Sequence, residues 1–289
     1  MKKLALIVTL LVAAVNVGFS QNVSKNIQVG DFKSVNAQFV YDISITKGNS
    51  GIVQVNCPAK FEKDLDIYVS GGTLYLKMNN TKFKKMDDDN AIRVSIQMEE
   101  IKEISLSGAA QLMATGNFKT SNFSLTMSGA SEIDESLNID ADNFKYNLSG
   151  ASEASVSGNF KNISGHISGS SDFEIYGTAT NITIGCSGAS EAKFRGQVEQ
   201  KTKVECSGAS EVELEGSTNE IFIECSGASE VDAENMRSIN ATAQANGASS
   251  IKVYADKNLN LEASTGSKIR YYGNGTYNPG NNSRIARGN

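Results

Sequence analysis

The chain has 289 residues, with 26 glycines, two prolines, no tryptophan, one histidine and a formal net charge of −5. That length holds one large domain or two ordinary ones. The acidic balance argues against nucleic acid as a partner, because binding phosphates needs a basic patch.

Lys2 and Lys3 precede the apolar run LALIVTLLVAAVNVG, and Gly18-Phe19-Ser20 follow it. A charged start, an apolar stretch and small residues at a cleavage site read as a signal peptide over residues 1–20, cut after Ser20. Gln21 rather than Cys directly follows Ser20, so a lipid anchor at the new N-terminus is not indicated. Removal leaves 25 basic against 32 acidic residues, a net charge of −7. No later run of 18 apolar residues is present, so no membrane span is expected. The expected location is periplasmic, cell-surface-associated or secreted. The four cysteines therefore meet an oxidising compartment. They lack CxxC spacing, and no His pairs with them at zinc-ligand distance in sequence.

Residues 21–100 read as an N-terminal β region of irregular early rungs and a cap. AQFVYDISIT (37–46) and GTLYLKM (72–78) have strand composition. Ser70-Gly71-Gly72-Thr73 reads as a degenerate copy of the tetrad described next. Met86-Asp87-Asp88-Asp89-Asn90 reads as a solvated loop.

Residues 101–272 carry a regular repeat. The tetrad SGAS, with variants, begins at Ser107, Ser128, Ser149, Ser168, Ser187, Ser207, Ser226, Asn246 and Thr265, in steps of 19 to 21 residues. A period near 20 with strand-like contents predicts a solenoid. Before each tetrad, apolar residues alternate with polar ones, as in Phe123, Leu125 and Met127 against Ser124 and Thr126. After it the alternation resumes, as in Glu211-Val212-Glu213-Leu214-Glu215. Glycines at 116, 158, 177, 196 and 216 mark a second corner. The expected fold is all-β, a right-handed parallel β-helix (β-solenoid) with about 20 residues per rung. At the parallel rung spacing, nine rungs make a rod about 40 Å long.

Stacking turns sequence columns into ladders. The residue before the tetrad reads Leu106, Met127, Leu148, Ile167, Cys186, Cys206, Cys225, Ala245, so these cysteines behave as small buried hydrophobes. Two neighbouring thiols could also reach disulfide range, though three cannot all pair. Asn122, Asn143, Asn162, Asn181 and Asn240 predict an amide ladder. The serines have only His166 as a partner base, with no G-x-S-x-G, so small residues at a tight corner explain them without catalysis.

One outward column gathers acids: Glu132, Glu153, Asp172, Glu191, Glu211 and Glu230. Neighbours about 5 Å apart repel by about 0.8 kcal/mol in water, which a solvated face tolerates. The functional reading is a binding face that docks a basic surface or collects a cation, with calcium as the candidate. No other cofactor is indicated. Lys193 and Arg195 follow Glu191 as ordinary outward residues, and no acid–base pair stands apart from the repeat. The tail, residues 273–289, is polar and is expected to fray.

The stretches FKSVNAQFVYDISITKG and VSGGTLYL, the SGAS rungs and the closing GSKIRYYG together resemble the putative autotransporter adhesin head domain family (DUF2807), over residues 30–273. The resemblance implies a pectin-lyase-like parallel β-helix without evident catalytic residues. No run of alternating strands suited to an outer-membrane barrel follows, so only the head carries over. The leading expectation is an exported, non-enzymatic solenoid with adhesin-like binding of a cell-surface or extracellular glycan or protein. The alternatives are a polysaccharide-active enzyme, lyase or hydrolase-like, on the same fold, and a structural envelope scaffold. Oligomeric state is left open.

Overall fold

The computed structural model describes residues 22–79, 91–264, 266–277 and 282–288. The expected signal peptide and the Met86–Asn90 loop lie outside the described residues. The chain forms a β-solenoid of about nine turns, with about 20 residues per rung.

The regular part runs through β8 (Glu103–Gly108), β9 (Gln111–Thr115), β10 (Phe118–Met127), β11 (Glu132–Leu148), β12 (Glu153–Ile167), β13 (Asp172–Cys186), β14 (Glu191–Cys206), β15 (Glu211–Cys225), β16 (Glu230–Ala245), β17 (Ser250–Tyr254), β18 (Asn258–Ala263) and β19 (Lys268–Tyr272). Each of β11 to β16 spans from one tetrad to the next and pairs in parallel with the strand one rung away. Period-2 patterning sends alternate side chains into one continuous core. Phe123, Phe144 and Phe160 stack there, with centroids 5.1 and 5.3 Å apart.

The tetrad corners carry the ladder around the bend. From the corner of Ala130 to that of Ala248, the backbone N–H of the third residue donates to the glycine carbonyl one rung below, as from Ala209 to Gly188 at 2.7 Å. Gly208 has φ +78°, and a Cβ there would come 2.7 Å from that carbonyl, so only glycine fits. The fourth residue, a serine in eight copies, is buried rather than outward. Its hydroxyl donates to the carbonyl three residues back, as from Ser190 to Ser187 at 2.8 Å, which satisfies both groups inside the turn.

The N-terminal region departs from the helix of rungs. β2 (Ser34–Phe39) pairs in parallel with β8 and with β6 (Thr73–Met78), and β3 (Tyr41–Lys47) pairs in parallel with β9 and β7 (Ile92–Met98). Beyond them the pairing turns antiparallel. β5 (Leu65–Ser70) lies against β6, while β1 (Asn22–Gln28) lies against β4 (Ile52–Pro58), which lies against β7. Ser70-Gly71-Gly72-Thr73 is therefore not a solenoid corner. Gly71 and Gly72 have φ +60° and +76°, the consecutive left-handed pair of a two-residue hairpin turn.

Two further expectations are corrected at the other end. Ser264 N donates to Ala245 O, and Ser267 Oγ donates to Ser264 O, so the last corner begins at Ser264 rather than Thr265. The tail is also not wholly frayed. β20 (Ile285–Arg287) adds in parallel to β19 and buries Ile285 over the last rung, while Asn282 Nδ2 donates to Ala263 O.

Candidate functional site

All six acids of the predicted column stand on one line. Glu132, Glu153, Asp172, Glu191, Glu211 and Glu230 are successive in-register partners from β11 to β16. Each opens its strand directly after a corner. The buried fourth corner residue fixes the parity, so the next side chain points outward. Gln111 extends the line and donates to Glu132 Oε2 at 3.3 Å.

A second column, two residues further on, was not singled out from the sequence. It contains Glu174, Lys193, Glu213, Asp232 and Lys252, in register across β13 to β17. Period 2 was signal enough to find it. Its lysines divide the acidic face into local ion pairs. Lys193 Nζ lies 2.7 Å from Glu191 and 3.7 Å from Glu174, and Lys252 Nζ lies 2.6 Å from Asp232 and 3.5 Å from Glu234. Arg195 reaches Glu215 at 3.1 Å. These pairs are solvent-screened and contribute little stability each.

Among the described residues, no lysine or arginine lines the cavity at the start of the face. This surface cavity of about 330 Å³ is lined by Glu132, Asp134, Glu153, Asp172, Glu174 and Tyr176, among others. Burial, and then the neighbouring Glu191, push the Asp172 carboxyl above its ordinary value, against the opposing pull of Lys193. Burial and then Glu132 do the same to Asp134, and burial with Glu191 and Glu230 does so to Glu211. Asp172 Oδ1 and Ser136 Oγ are buried without a hydrogen-bond partner. Tyr176 donates its hydroxyl to Glu174.

The acids form a line rather than a cage. Among the described residues, no group of three or more His, Cys, Asp or Glu side chains gathers to hold a metal ion. The neighbouring ladders are structural. Asn143, Asn162 and Asn181 each donate to the Asn one rung below at 3.1 to 3.2 Å, and Asn258 donates to Asn240 at 2.7 Å. Cys186, Cys206 and Cys225 are buried in the core. His166 Nε2 sits 2.8 Å from Ser187 Oγ, a contact made possible by register. No carboxylate orients that imidazole among the described residues, so a triad is not assembled.

These features define a parallel β-solenoid with a packed core inside and amide and charged ladders along its outside. The sequence profile of a family described as "Putative auto-transporter adhesin, head GIN domain" matches residues 31–202 and 177–275. The chain belongs to this family. No curated protein matches it. Among solved structures it is similar to a putative adhesin from Parabacteroides merdae ATCC 43184, at 13% identity and TM-score 0.56, covering 94% of this chain and 98% of that one. It is also similar to a putative adhesin from Parabacteroides distasonis ATCC 8503, at 17% identity and TM-score 0.49, covering 94% and 96%. A protein of the same organism described as a putative lipid binding protein aligns at 14% identity and TM-score 0.46, covering 92% and 93%. At such identities the first of these likenesses speaks to the fold alone.

Proposed function

We propose that the chain is an exported, non-enzymatic, adhesin-like solenoid that binds a glycan or protein ligand on a cell or extracellular surface. Membership of the adhesin head family supports an extracellular or surface location and a binding role. The observation that carries the reading at residue level is the in-register acidic line of Glu132, Glu153, Asp172, Glu191, Glu211 and Glu230. Carboxylates repeating at the rung spacing, with lysines set among them, suit many weak polar contacts with an extended ligand that bears cationic or hydroxyl groups.

The test is retention on a panel of polysaccharides and matrix proteins, with added calcium and with chelator, alongside a search for cleaved product. Retention without cleavage is expected, and the combined variant Glu191→Gln, Glu211→Gln and Glu230→Gln should lose most of it. Turnover of any glycan would overturn the non-enzymatic reading. Retention that ignores the triple variant would move the binding site off this face, and loss on chelation would make calcium a bridge between carboxylates.

A further inference from the structure

Three of the four cysteines stand on consecutive rungs in one inward column. Cys186 is the in-register partner of Cys206, and Cys206 of Cys225. Parallel neighbours lie about 4.8 Å apart, inside the Cα separation that disulfides adopt. All three side chains are buried, and Cys206 has a buried cysteine in register on the rung to each side. Cys57 lies in β4, paired with β1 at the far end of the chain, and cannot join them.

We propose that this ladder is an oxidation site in which Cys206 forms a disulfide with one flanking cysteine, covalently stapling two rungs of the core. Cys206 is the obligatory member because it alone has a thiol on each side. The third thiol stays reduced and adjacent, so the bond can migrate between Cys186–Cys206 and Cys206–Cys225 by exchange.

The oxidant is a small-molecule disulfide. It first forms a mixed disulfide with Cys206, releasing one carrier thiol. The Cys186 sulfur then attacks the Cys206 sulfur. The protein S–S bond forms, the bond to the carrier breaks, and the carrier leaves as a thiolate that takes up the proton lost by Cys186. Two protein thiols are oxidised by two electrons, and one carrier disulfide becomes two thiols. A surface cavity of about 410 Å³ lined by all three cysteines, with Gly185 in its wall, leaves this stretch thinly covered.

Reduced, unfolded full-length protein would be refolded in a glutathione redox buffer, alkylated under denaturing conditions and weighed intact. Two of the four thiols should be protected, and peptide mapping should link Cys206 to Cys186 or Cys225. Cys206→Ala should protect none of its three thiols. Cys186→Ala and Cys225→Ala should each still protect two. Alanine is accommodated in this column, since Ala245 occupies it one rung beyond Cys225. The two flanking variants also keep the test decisive if Cys206→Ala folds poorly. Four alkylated thiols in the parent, glutathione adducts alone, a link through Cys57, or a bond surviving in Cys206→Ala would each overturn the proposal.

Discussion

Replacing Thr202 with valine should stabilise the protein. Thr202 occupies a core column otherwise filled by Phe123, Phe144, Ile163, Ile182, Ile221 and Ala241, and it is fully buried. Its Oγ1 has no hydrogen-bond partner. A buried hydroxyl left unpaired costs about 1–3 kcal/mol of lost hydration. Valine keeps the shape and replaces that hydroxyl with a methyl group packed against Ile182 and Ile221. We expect a gain of about 2 kcal/mol, read as a higher urea midpoint at unchanged slope. For a chain of this size that is about 3–4 °C in Tm. Thr218 supplies the control. It is also buried, but its Oγ1 donates to Glu220 O at 3.1 Å. Thr218→Val removes a made bond and should lose about 1 kcal/mol. Opposite signs for two identical substitutions are the signature. If Thr202→Val destabilises as Thr218→Val does, the hydroxyl has a partner and the reasoning fails.

Four further outcomes are expected. Gly216→Ala should cost at least about 2 kcal/mol, since φ is +128° and a Cβ would sit 1.6 Å from Gly196 O, whereas Gly30→Ala meets nothing within 4 Å and should be near neutral in the same urea melts. Asn162→Ala should lose about 1 kcal/mol, because it removes two rungs of the amide ladder, to Asn143 and from Asn181; an unchanged midpoint would make that ladder ornamental. Asp172 has a raised folded pKa, so its contribution to stability is present below the unfolded pKa and is lost as pH rises through the folded value. Asp172→Asn should therefore be more stable than the parent at pH about 7, with the gap closing toward pH about 4; a gap that widens on acidification contradicts this. Cys206→Ala should unfold at lower urea and keep full ligand retention per folded molecule, which a binding role for the thiol would not allow.

What the sequence discloses about this fold depends on parallel stacking, which converts spacing along the chain into proximity in space. The acidic line, the amide ladder and the cysteine column could be named by counting from each tetrad, because one strand lies directly on the next. The hairpin at Ser70–Thr73 escaped that count because its composition matches the tetrad, while its two consecutive left-handed glycines reverse the chain. The docked tail escaped because one isoleucine in a polar stretch carries no periodicity. The ion pairs of Lys193 and Lys252 depend on reach across rungs, and a column of residue types does not give that reach.

The uneven repeat length is the deeper point. One extra residue in a strand would turn every inward side chain outward. Yet β11, β14 and β16, which carry the longer rungs, present the same columns as their neighbours. The register shows where the surplus goes. It breaks between Glu132 and Ser136, between Gln197 and Lys201, and opposite the step from Glu213 to Glu215, and it is restored before the next corner each time. Glu135, within the first break, has φ +60°, the backbone mark of a residue looped out of the ladder. The strands thus absorb insertions locally, and each corner, with its buried serine and its glycine stacked on the glycine below, resets the parity. That is why a face six carboxylates long stays in line although its rungs differ in length.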